Sequence, residues 1–511
     1  MDDLRVQTVS CRGGLDTSRD VLSQGQEQPG SATRLINYEP SLNGGYRRIT
    51  GFTNSYGTVT GTGKVLGVCV ANGVNDGIFA CRAPSSGSNY FHKWNATTEV
   101  WDAVTTAGSP TMTGVNKVRM IPYNFTADKI LLVDGINPAA FYDGTTYTQI
   151  THTDAPADPS VGVDFKNHIF LAGTSSDPYN LYFSAPFAES DFSPASGSGV
   201  INVGFDIVQL KAFRDELYIF GTNQIKKLAG TSIADFVVAT VTSDLGCIAA
   251  DSVIEIAGDL LFLGPDGLRP VSGTDKIGDV NLETVSKPIQ AVISDLIANQ
   301  DLSKLSTVVI RQKSQFRIFF ETAETLGIIG GLRQNPNGIA FEFGQLLGVD
   351  ASCAASGYIG KTEYVIHGDS DGKVHRQEFG TSFDGTEIFS LFQTPYFYFG
   401  DTEIRKIFYK VATFFRSEGE NNIIMSVVYD YEDQNVFNPG NFTLSTAGAA
   451  AFYNEALYDS TAIYDGNPSP VIETNFSGSG KSVSFRYVTN DSNASHNIQG
   501  LSILFGLGDR R

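Results

Sequence analysis

The segment NHIFLAG (167–173) has a pattern that recurs along the chain: one or two polar residues, a short apolar run, and usually a glycine at the end. The other copies are KVLGVCVANG (64–73), DKILLVDG (128–135), DELYIFG (215–221), GDLLFLG (258–264), SQFRIFF (314–320) and EYVIHG (363–368). After the first, long interval the copies lie roughly 40 to 55 residues apart, close to the period of a four-stranded propeller blade. A second strand follows each copy, so the repeat predicts a β-propeller-like domain of five to seven blades.

The composition indicates an all-β fold around this repeat. The 511 residues include 53 Gly, 35 Phe and 21 Tyr, and only 18% are charged. Glycine supplies tight turns, and aromatic residues favour strands. The net charge of −19 repels phosphate backbones, so the general surface is unsuited to wrapping DNA but could line a conduit through which DNA slides.

Changes in the residue pattern along the chain predict three parts. Residues 1–60 form an N-terminal arm with the first strands, residues 61–385 the propeller-like domain, and residues 386–511 a separate, sandwich-like β-rich domain. One helix is predicted inside the propeller, at 286–300, because its apolar residues recur at helical spacing. Ser286 is the predicted N-cap of this helix.

Residues that could carry chemistry are sparse. The five cysteines show no Cys-x-x-Cys spacing, which indicates single thiols in a reducing compartment. No nucleophile elbow, zinc-protease helix or phosphate-binding loop occurs. His367 and His375 flank Asp371-Gly372 and could face each other across a hairpin, where a two-residue turn explains the sequence better than a metal pair. We therefore expect no enzyme activity, no metal site and no cofactor.

A glycan-related function remains open from the residues. A propeller glycosidase would need two carboxylates roughly 5 to 10 Å apart in its channel, a distance that sequence cannot reveal. Trp94 and Trp101 could instead form an aromatic platform for a sugar, although a core or turn role is the simpler explanation for both.

The ends of the chain carry no targeting signal in this interpretation. The first residues, MDDLRVQTVS, lack the basic stretch and apolar core of a secretory signal. No apolar run approaches the roughly 18 residues of a membrane span. We expect a soluble protein that is made in a cytoplasm and has no membrane anchor.

The arm carries a family resemblance. The order RGGLD (12–16), PGSATRLINYEP (29–40) and GGYRRITG (44–51) resembles the start of tail nozzle and hub proteins of short-tailed, double-stranded DNA bacteriophages. The resemblance implies a structural virion protein. Six copies would form a ring below the portal and adaptor, contact the tail fibres, and extend the DNA channel for genome retention and ejection. Another head–tail connector, such as a stopper, is the nearest alternative.

The arm also supplies the candidate interface residues. Its isolated apolar and basic side chains predict docking into grooves of its own domains or of a neighbouring subunit. The candidates are Arg12, Arg34, Tyr38, Tyr46, Arg47 and Arg48. On this hypothesis, a chain lacking residues 12–52 stays soluble and rich in β-structure but forms no rings.

Overall fold

The computed structural model describes residues 4–73, 76–84, 90–110, 112–274, 284–322, 325–335, 338–446, 450–451, 463–464 and 470–508. Strands dominate, which confirms the all-β fold class. The α-helices are Val21–Glu27, Val271–Thr274 and Gln290–Asn299. The single-turn 3-10 helices are Pro194–Ser196, Ala250–Ser252, Lys287–Ile289, Leu302–Lys304, Arg311–Lys313 and Asp430–Glu432. No helix in the described residues is long and apolar enough to cross a membrane.

Seven groups of mainly antiparallel strands follow one another along the chain and form the blades of a propeller. Blade 1 comprises Thr62–Ala71, Gly77–Ala83, Phe91–Asn95 and Val100–Ala103, and blade 2 comprises Arg119–Asn124, Asp128–Val133, Ala140–Tyr142 and Thr146–Gln149, with Thr105–Thr106 added in parallel. Blade 3 comprises Val161–Phe165, His168–Ala172, Asn180–Phe183 and Gly199–Asn202, and blade 4 comprises Ile207–Phe213, Glu216–Gly221, Ile225–Ala229 and Val237–Thr242. Each blade presents apolar side chains to its neighbours, and successive blades therefore share their cores.

The last three blades depart from the four-stranded plan. Blade 5 has three strands, Ile254–Ile256, Asp259–Gly264 and Gly267–Pro270. Blade 6 comprises Ser306–Ile310, Gln315–Phe319, Leu326–Asn335 and Gly338–Leu347, within a longer sheet. Blade 7 comprises Cys353–Ile359, Thr362–Gly368 and Val374–Gln377, and the arm supplies its fourth strand, Phe52–Thr53.

The repeat noticed in the sequence corresponds to these blades. In blades 2 to 7 the repeated segment is the second strand, whereas in blade 1 it is the first strand, Thr62–Ala71. The first interval is long for this reason, because the matching second strand of blade 1 is Gly77–Ala83. The seven copies therefore mark seven blades, the upper end of the predicted range.

Blade 7 packs against blade 1 and closes the ring. Ser352 Oγ, at the start of blade 7, donates to the Val65 carbonyl of blade 1 at 2.7 Å. A Cβ on Gly357 would lie 2.7 Å from the Val70 carbonyl, so the two innermost strands touch at this glycine. Closure by a strand from the arm ties the N-terminus to the end of the propeller and protects both ends of the repeat.

An ion pair spans the centre of the ring. Arg119, on the innermost strand of blade 2, donates to both oxygens of Asp251 at 2.7 and 2.9 Å, and Lys117 approaches the same carboxylate at 3.1 Å. Asp251 precedes blade 5, and its carbonyl accepts from Thr307 Oγ1 of blade 6 at 2.6 Å. Burial raises the pKa of Asp251, but Lys117 and Arg119 outweigh this effect and lower it to about 2. The centre of the propeller is thus bridged by charged side chains.

The C-terminal residues form a sandwich whose two sheets also contain the arm. The first sheet has six strands, Leu4–Ser10, Tyr38–Pro40, Tyr46–Arg48, Lys406–Ser417, Val471–Gly480 and His496–Leu507. The second contains Arg34–Ile36, Ile388–Gln393, Asn422–Tyr429, Phe442–Ser445 and Val483–Asp491, and Ala450–Ala451 and Ile463–Tyr464 form a small parallel pair apart from both sheets. Stacked rings such as Phe408 and Tyr429, 5.4 Å apart, join the two faces.

The propeller and the sandwich are not separate bodies, contrary to the predicted division at residue 385. The arm strand Arg34–Ile36 pairs with blade 6 on one side, through Ile36 and Gln345, and with Ile388–Gln393 on the other. One nine-stranded sheet therefore runs from blade 6 into the sandwich. The core on this sheet includes residues from the arm, the propeller and the C-terminal strands. The division at residue 385 was wrong because the composition of the two parts does not reveal that a strand of the arm pairs with both.

The inserted helix lies where the sequence predicts it, with a different start. It begins with the 3-10 turn Lys287–Ile289, continues as Gln290–Asn299, and buries Ile289, Ile293 and Leu296 against the core. Ser286 does not cap it, because its hydroxyl accepts instead from the Leu268 N–H of blade 5 at 3.0 Å. The serine therefore anchors the helix to the propeller.

Candidate functional site

Two carboxylates and three cations from three parts of the chain form a buried charge cluster, comprising Glu39, Arg47, Lys313, Arg317 and Glu378. Glu39 Oε1 accepts from Arg47 at 2.9 Å and from Lys313 at 2.7 Å, and Glu39 Oε2 lies 3.4 Å from Arg317. Glu378 pairs with Lys313 and Arg317. Burial raises the pKa of Glu378, but the two cations lower it to about 2. The cluster joins the arm to blade 6 and to the segment after blade 7.

The two adjacent arginines of the arm extend this cluster into the sandwich. Arg47 donates from Nε and Nη2 to the two oxygens of Glu418, each at 2.6 Å. Arg48 is 1% exposed; it donates to Asp491 Oδ1 at 2.6 Å and to the Ile388 carbonyl at 3.0 Å. Bidentate and charge-assisted contacts of this kind fix geometry as well as stabilise it.

The two tyrosines of the arm are equally enclosed. Tyr38 contacts His496 Nε2 through its hydroxyl at 2.8 Å. The Tyr46 hydroxyl donates to the Gly30 carbonyl at 2.7 Å and accepts from the Gly14 N–H at 3.0 Å, so it staples two turns of the arm together. Burial raises the pKa of both tyrosines, which remain neutral hydrogen-bonding groups.

The structure separates the six predicted interface residues into two groups. Tyr38, Tyr46 and Arg48 lie in the interior of their own chain, and Arg47 is largely occupied by Glu39 and Glu418. The contacts of these four side chains are intramolecular. They therefore dock into the chain's own domains and not into a neighbouring subunit. Arg12 and Arg34 are exposed and retain that proposed role. The arm therefore first of all holds together parts of its own chain.

The histidine pair of blade 7 has the arrangement that the sequence suggests. His367 and His375 are directly opposite in neighbouring strands, and their rings stack 4.9 Å apart. Residues 369–373 connect the strands, a longer loop than the predicted two-residue turn, with Gly372 at a φ of 86°. Asp369 Oδ2 contacts His375 Nε2 at 2.8 Å. In the described part of the chain, no group of three or more potential ligands is placed to hold a metal ion.

Phe52 of the arm covers this histidine pair. Its ring meets His367 edge-on at 4.8 Å and His375 at 5.1 Å, and stacks on Phe383 at 4.9 Å. Burial, and next the neighbouring His375, lower the pKa of His367 well below its usual value. His367 is therefore a neutral element of the joint between the arm and blade 7.

A pocket of about 620 Å³ lies beside blade 1 and contains one of the two tryptophans. Trp94 lines the pocket with Tyr56, Tyr364 and the polar residues Lys93 and Asp102. Trp101 packs edge-on against Trp94 at 5.4 Å and donates its indole N–H to the Tyr56 carbonyl at 2.6 Å. Trp101 is consequently a support, and Trp94 is the aromatic surface that a ligand could meet.

Comparisons with known proteins give no family. No family model and no curated protein matches the sequence. Similar solved structures include an extracellular domain assigned to a hybrid two component system of B. thetaiotaomicron, with 10% identity over 67% of this chain and 44% of its own, at a TM-score of 0.41. Another is an ancestral GH74 enzyme, with 11% identity over 70% of this chain and 52% of its own, at a TM-score of 0.38.

A third structure is an exo-beta-1,3-galactanase from Phanerochaete chrysosporium, with 10% identity, covering 89% of this chain and all of its own, at a TM-score of 0.24. The chain thus spans less than two thirds of the first two proteins. These TM-scores are low, and no activity is transferred from any of the three. The strand pairing itself defines the seven blades.

Of the five residues in the charge cluster, the sequence predicts only Arg47. The other four, Glu39, Lys313, Arg317 and Glu378, come from three separate parts of the chain and carry no shared motif. One signal was present: Glu39 and Arg317 are charged residues inside otherwise apolar strand patterns. Charged residues in such positions are rarely buried unless they are paired.

Proposed function

We propose that this protein is a structural subunit of a short phage tail, the nozzle or hub ring that extends the DNA channel below the portal and adaptor. The observation that carries the proposal is the arm. The segments that resemble the family include the strands that pair with blade 6 and with the sandwich, and the next two residues of the arm, Phe52–Thr53, pair with blade 7. A subunit whose parts are held together by strand pairing suits a ring that must keep its shape while DNA passes.

The bridged propeller centre determines where DNA would pass in such a ring. Because Arg119 and Asp251 meet across the centre, a duplex cannot pass through the propeller. We place the channel between subunits, on the axis of the ring. The net charge of −19 per chain agrees with a DNA-conducting ring, since an acidic protein repels the phosphate backbone and lowers friction.

The direct test is assembly of the full-length chain with a purified portal–adaptor complex, imaged by electron microscopy. We expect a closed ring, six-fold as the resemblance implies, seated on the adaptor. The double variant Arg12→Ala/Arg34→Ala should weaken ring formation or seating, whereas Lys361→Ala, an exposed change on blade 7, should not. A wild-type chain that remains monomeric at all concentrations and does not bind the complex would refute the proposal. A ring seated elsewhere in the tail would indicate the connector or stopper alternative.

The pocket beside blade 1 favours a second candidate function, glycan binding at the host surface. The half-buried indole of Trp94 lines this pocket and can stack on a sugar ring, while the neighbouring Lys93 and Asp102 can hydrogen-bond the sugar hydroxyls. A glycan array with the soluble chain tests this candidate. Binding should disappear in Trp94→Ala and persist in Phe437→Ala, which alters a ring that is 81% exposed. No binding to any glycan by the wild type would dismiss it.

A further inference from the structure

The pocket beside blade 1 lies at the seam, the boundary at which blade 7 meets blade 1 and closes the propeller. Its lining includes Tyr56 from the arm, Trp94 from blade 1, and Ile359 and Tyr364 from blade 7. Tyr56 belongs to the stretch that leads from Phe52–Thr53, the last strand of blade 7, to Thr62–Ala71, the first strand of blade 1. A molecule in this part of the pocket therefore touches both ends of the repeat and the segment that joins them.

Hydrogen bonds to both blades hold Tyr56 in place. On the blade 7 side, the Val374 N–H donates to the carbonyl of the next residue along the arm, Gly57, at 3.0 Å. On the blade 1 side, the Trp101 indole N–H donates to the Tyr56 carbonyl at 2.6 Å, and the Tyr56 ring meets Trp94 edge-on at 5.5 Å. Tyr56 is thus a fixed part of the seam, and its position depends on the closure of the ring.

Three polar groups at the seam have no hydrogen-bond partner among the described residues. They are the hydroxyls of Tyr56 and Tyr364 and the indole N–H of Trp94. Tyr56 is only 7% exposed, and burial raises the pKa of its hydroxyl to about 12, so this hydroxyl stays protonated. Polar groups in enclosed positions are normally hydrogen-bonded. These three are therefore the groups that a hydroxylated ligand would satisfy.

The lining residues that pack in the core of the seam carry no charge. They are Tyr56, Ile78, Trp94, Ile359 and Tyr364. Lys93 precedes Trp94 in its strand and is directly opposite Asp102, so this charged pair lies on the other face of blade 1. Arg376 covers the Tyr364 ring at 4.6 Å but does not line the pocket. An acidic sugar would lose hydration at the seam without meeting a lining cation, which favours an uncharged sugar.

We propose that an uncharged sugar unit binds at the seam, with its ring on Trp94 and its hydroxyls bonded to Tyr56 and Tyr364, and that this binding holds the propeller closed. The inference rests on the second candidate function, glycan binding, and names its ligand class and its effect on the fold. A ligand that binds only the closed ring stabilises that state by mass action, because it must leave before blade 7 separates from blade 1. A longer glycan would continue from the seam toward Lys93 and Asp102.

Tryptophan fluorescence tests the ligand class, because Trp94 and Trp101 are the only tryptophans of the chain. The full-length protein is titrated with methyl glycosides of neutral hexoses and of the matching uronic acids. We expect the neutral glycosides to bind and the uronates to bind about tenfold more weakly. Equal affinities would overturn the uncharged class. No response to any neutral glycoside would overturn this inference, whereas binding on the glycan array would leave the glycan function standing.

Removal of single hydroxyls tests the position of the ligand. Tyr56→Phe and Tyr364→Phe keep the ring and lose only the hydroxyl, and each should weaken binding of the neutral glycosides about 3- to 10-fold. Tyr179→Phe makes the same change at a 47% exposed ring beside blade 3 and should leave the affinity unchanged. An unchanged affinity in Tyr364→Phe would place the ligand on blade 1 alone and overturn a site at the seam.

Hydrogen exchange tests the closure of the ring. At a neutral glycoside concentration about 100 times its Kd, we expect opening of the seam to become about 100-fold rarer and amide exchange in Val374–Gln377 to slow accordingly. Val237–Thr242, the outer strand of blade 4, is remote from the seam and should keep its rate. A glycoside that changes the fluorescence but not the exchange of Val374–Gln377 would overturn the effect on closure and leave glycan binding standing.

Discussion

Arg317 of blade 6 and Glu39 of the arm lie 3.4 Å apart with side chains 3% and 2% exposed, although 278 positions separate them in the chain. Lys313, Arg47 and Glu378 complete their coordination. A buried ion pair of this kind contributes little net stability compared with an apolar alternative, but losing one partner is costly. It therefore acts mainly as a specific joint between the arm and the propeller.

Removing the Glu39 carboxylate should destabilise the whole protein. In Glu39→Gln, Arg317 loses one of its two carboxylate partners while it remains buried. We expect the free energy of unfolding to fall by roughly 3 to 5 kcal/mol. Urea denaturation followed by fluorescence measures the change, with exposed Glu420→Gln as the matched control. Equal free energies of unfolding for the two variants would show that loss of the Glu39 carboxylate does not destabilise the joint.

Truncating Phe52 should loosen the closure of blade 7. The ring contacts His367, His375 and Phe383, and the change to alanine leaves a cavity among them. We expect Phe52→Ala to lower the free energy of unfolding by about 3 to 5 kcal/mol and to speed amide exchange in Val374–Gln377. Phe437→Ala, at an 81% exposed ring, should leave both quantities unchanged. Local protection equal to wild type would contradict the role of the arm as a closing strand.

Two glycines of the arm distinguish backbone strain from steric overlap. Gly45 and Gly57 both have positive φ, 83° and 64°. A Cβ at Gly45 would lie 2.5 Å from the Ile498 carbonyl oxygen, whereas a Cβ at Gly57 would meet nothing within 4 Å. Gly57→Ala should therefore cost about 1 to 2 kcal/mol from the left-handed conformation alone, and Gly45→Ala clearly more. Comparable unfolding midpoints for the two variants would argue against tight docking of the turn.

His496 should make the fold sensitive to acid. Burial, and next Arg48 and Arg47, lower its pKa to about 3, while the unfolded chain titrates near 6.5. Below pH 6.5 the unfolded state binds the additional proton, so this contribution to stability falls as pH drops and is fully lost below pH 3. The slope is about 1.4 kcal/mol per pH unit. His496→Gln should show a flatter stability profile between pH 6 and pH 4; a parallel profile would exclude this histidine as the cause.

Deleting the arm should unfold the subunit rather than release a soluble fragment. The sequence alone suggests that a chain lacking residues 12–52 would persist without forming rings. In the structure, this segment supplies Arg34–Ile36 at the middle of the nine-stranded sheet and Phe52, which closes blade 7. We expect the truncated chain to aggregate or to lose cooperative unfolding in calorimetry. A truncated chain with a sharp, wild-type transition would show that the propeller and the sandwich stand without the strap.

Local pattern was sufficient for the elements of this protein. Short apolar runs, six of the seven ending at glycine, mark one strand in each blade, and helical spacing marks Gln290–Asn299, because these features depend on neighbours a few residues apart. The sequence also shows that the arm is extended and rich in glycine. The contacts of the arm cannot be predicted in this way, since Tyr38 meets His496 and Glu39 meets Arg317 only after hundreds of intervening residues have folded.

The sequence by itself determined an all-β chain with a repeated strand unit, the helix Gln290–Asn299 and an acidic balance, since composition and short-range periodicity carry that information. Tertiary structure alone decided that the arm is an inner strand of two sheets, that the propeller and the sandwich share one core, and that the propeller centre is bridged by Arg119 and Asp251. Those outcomes depend on which strand edges and buried charges find partners, and partner choice is a property of the closed fold.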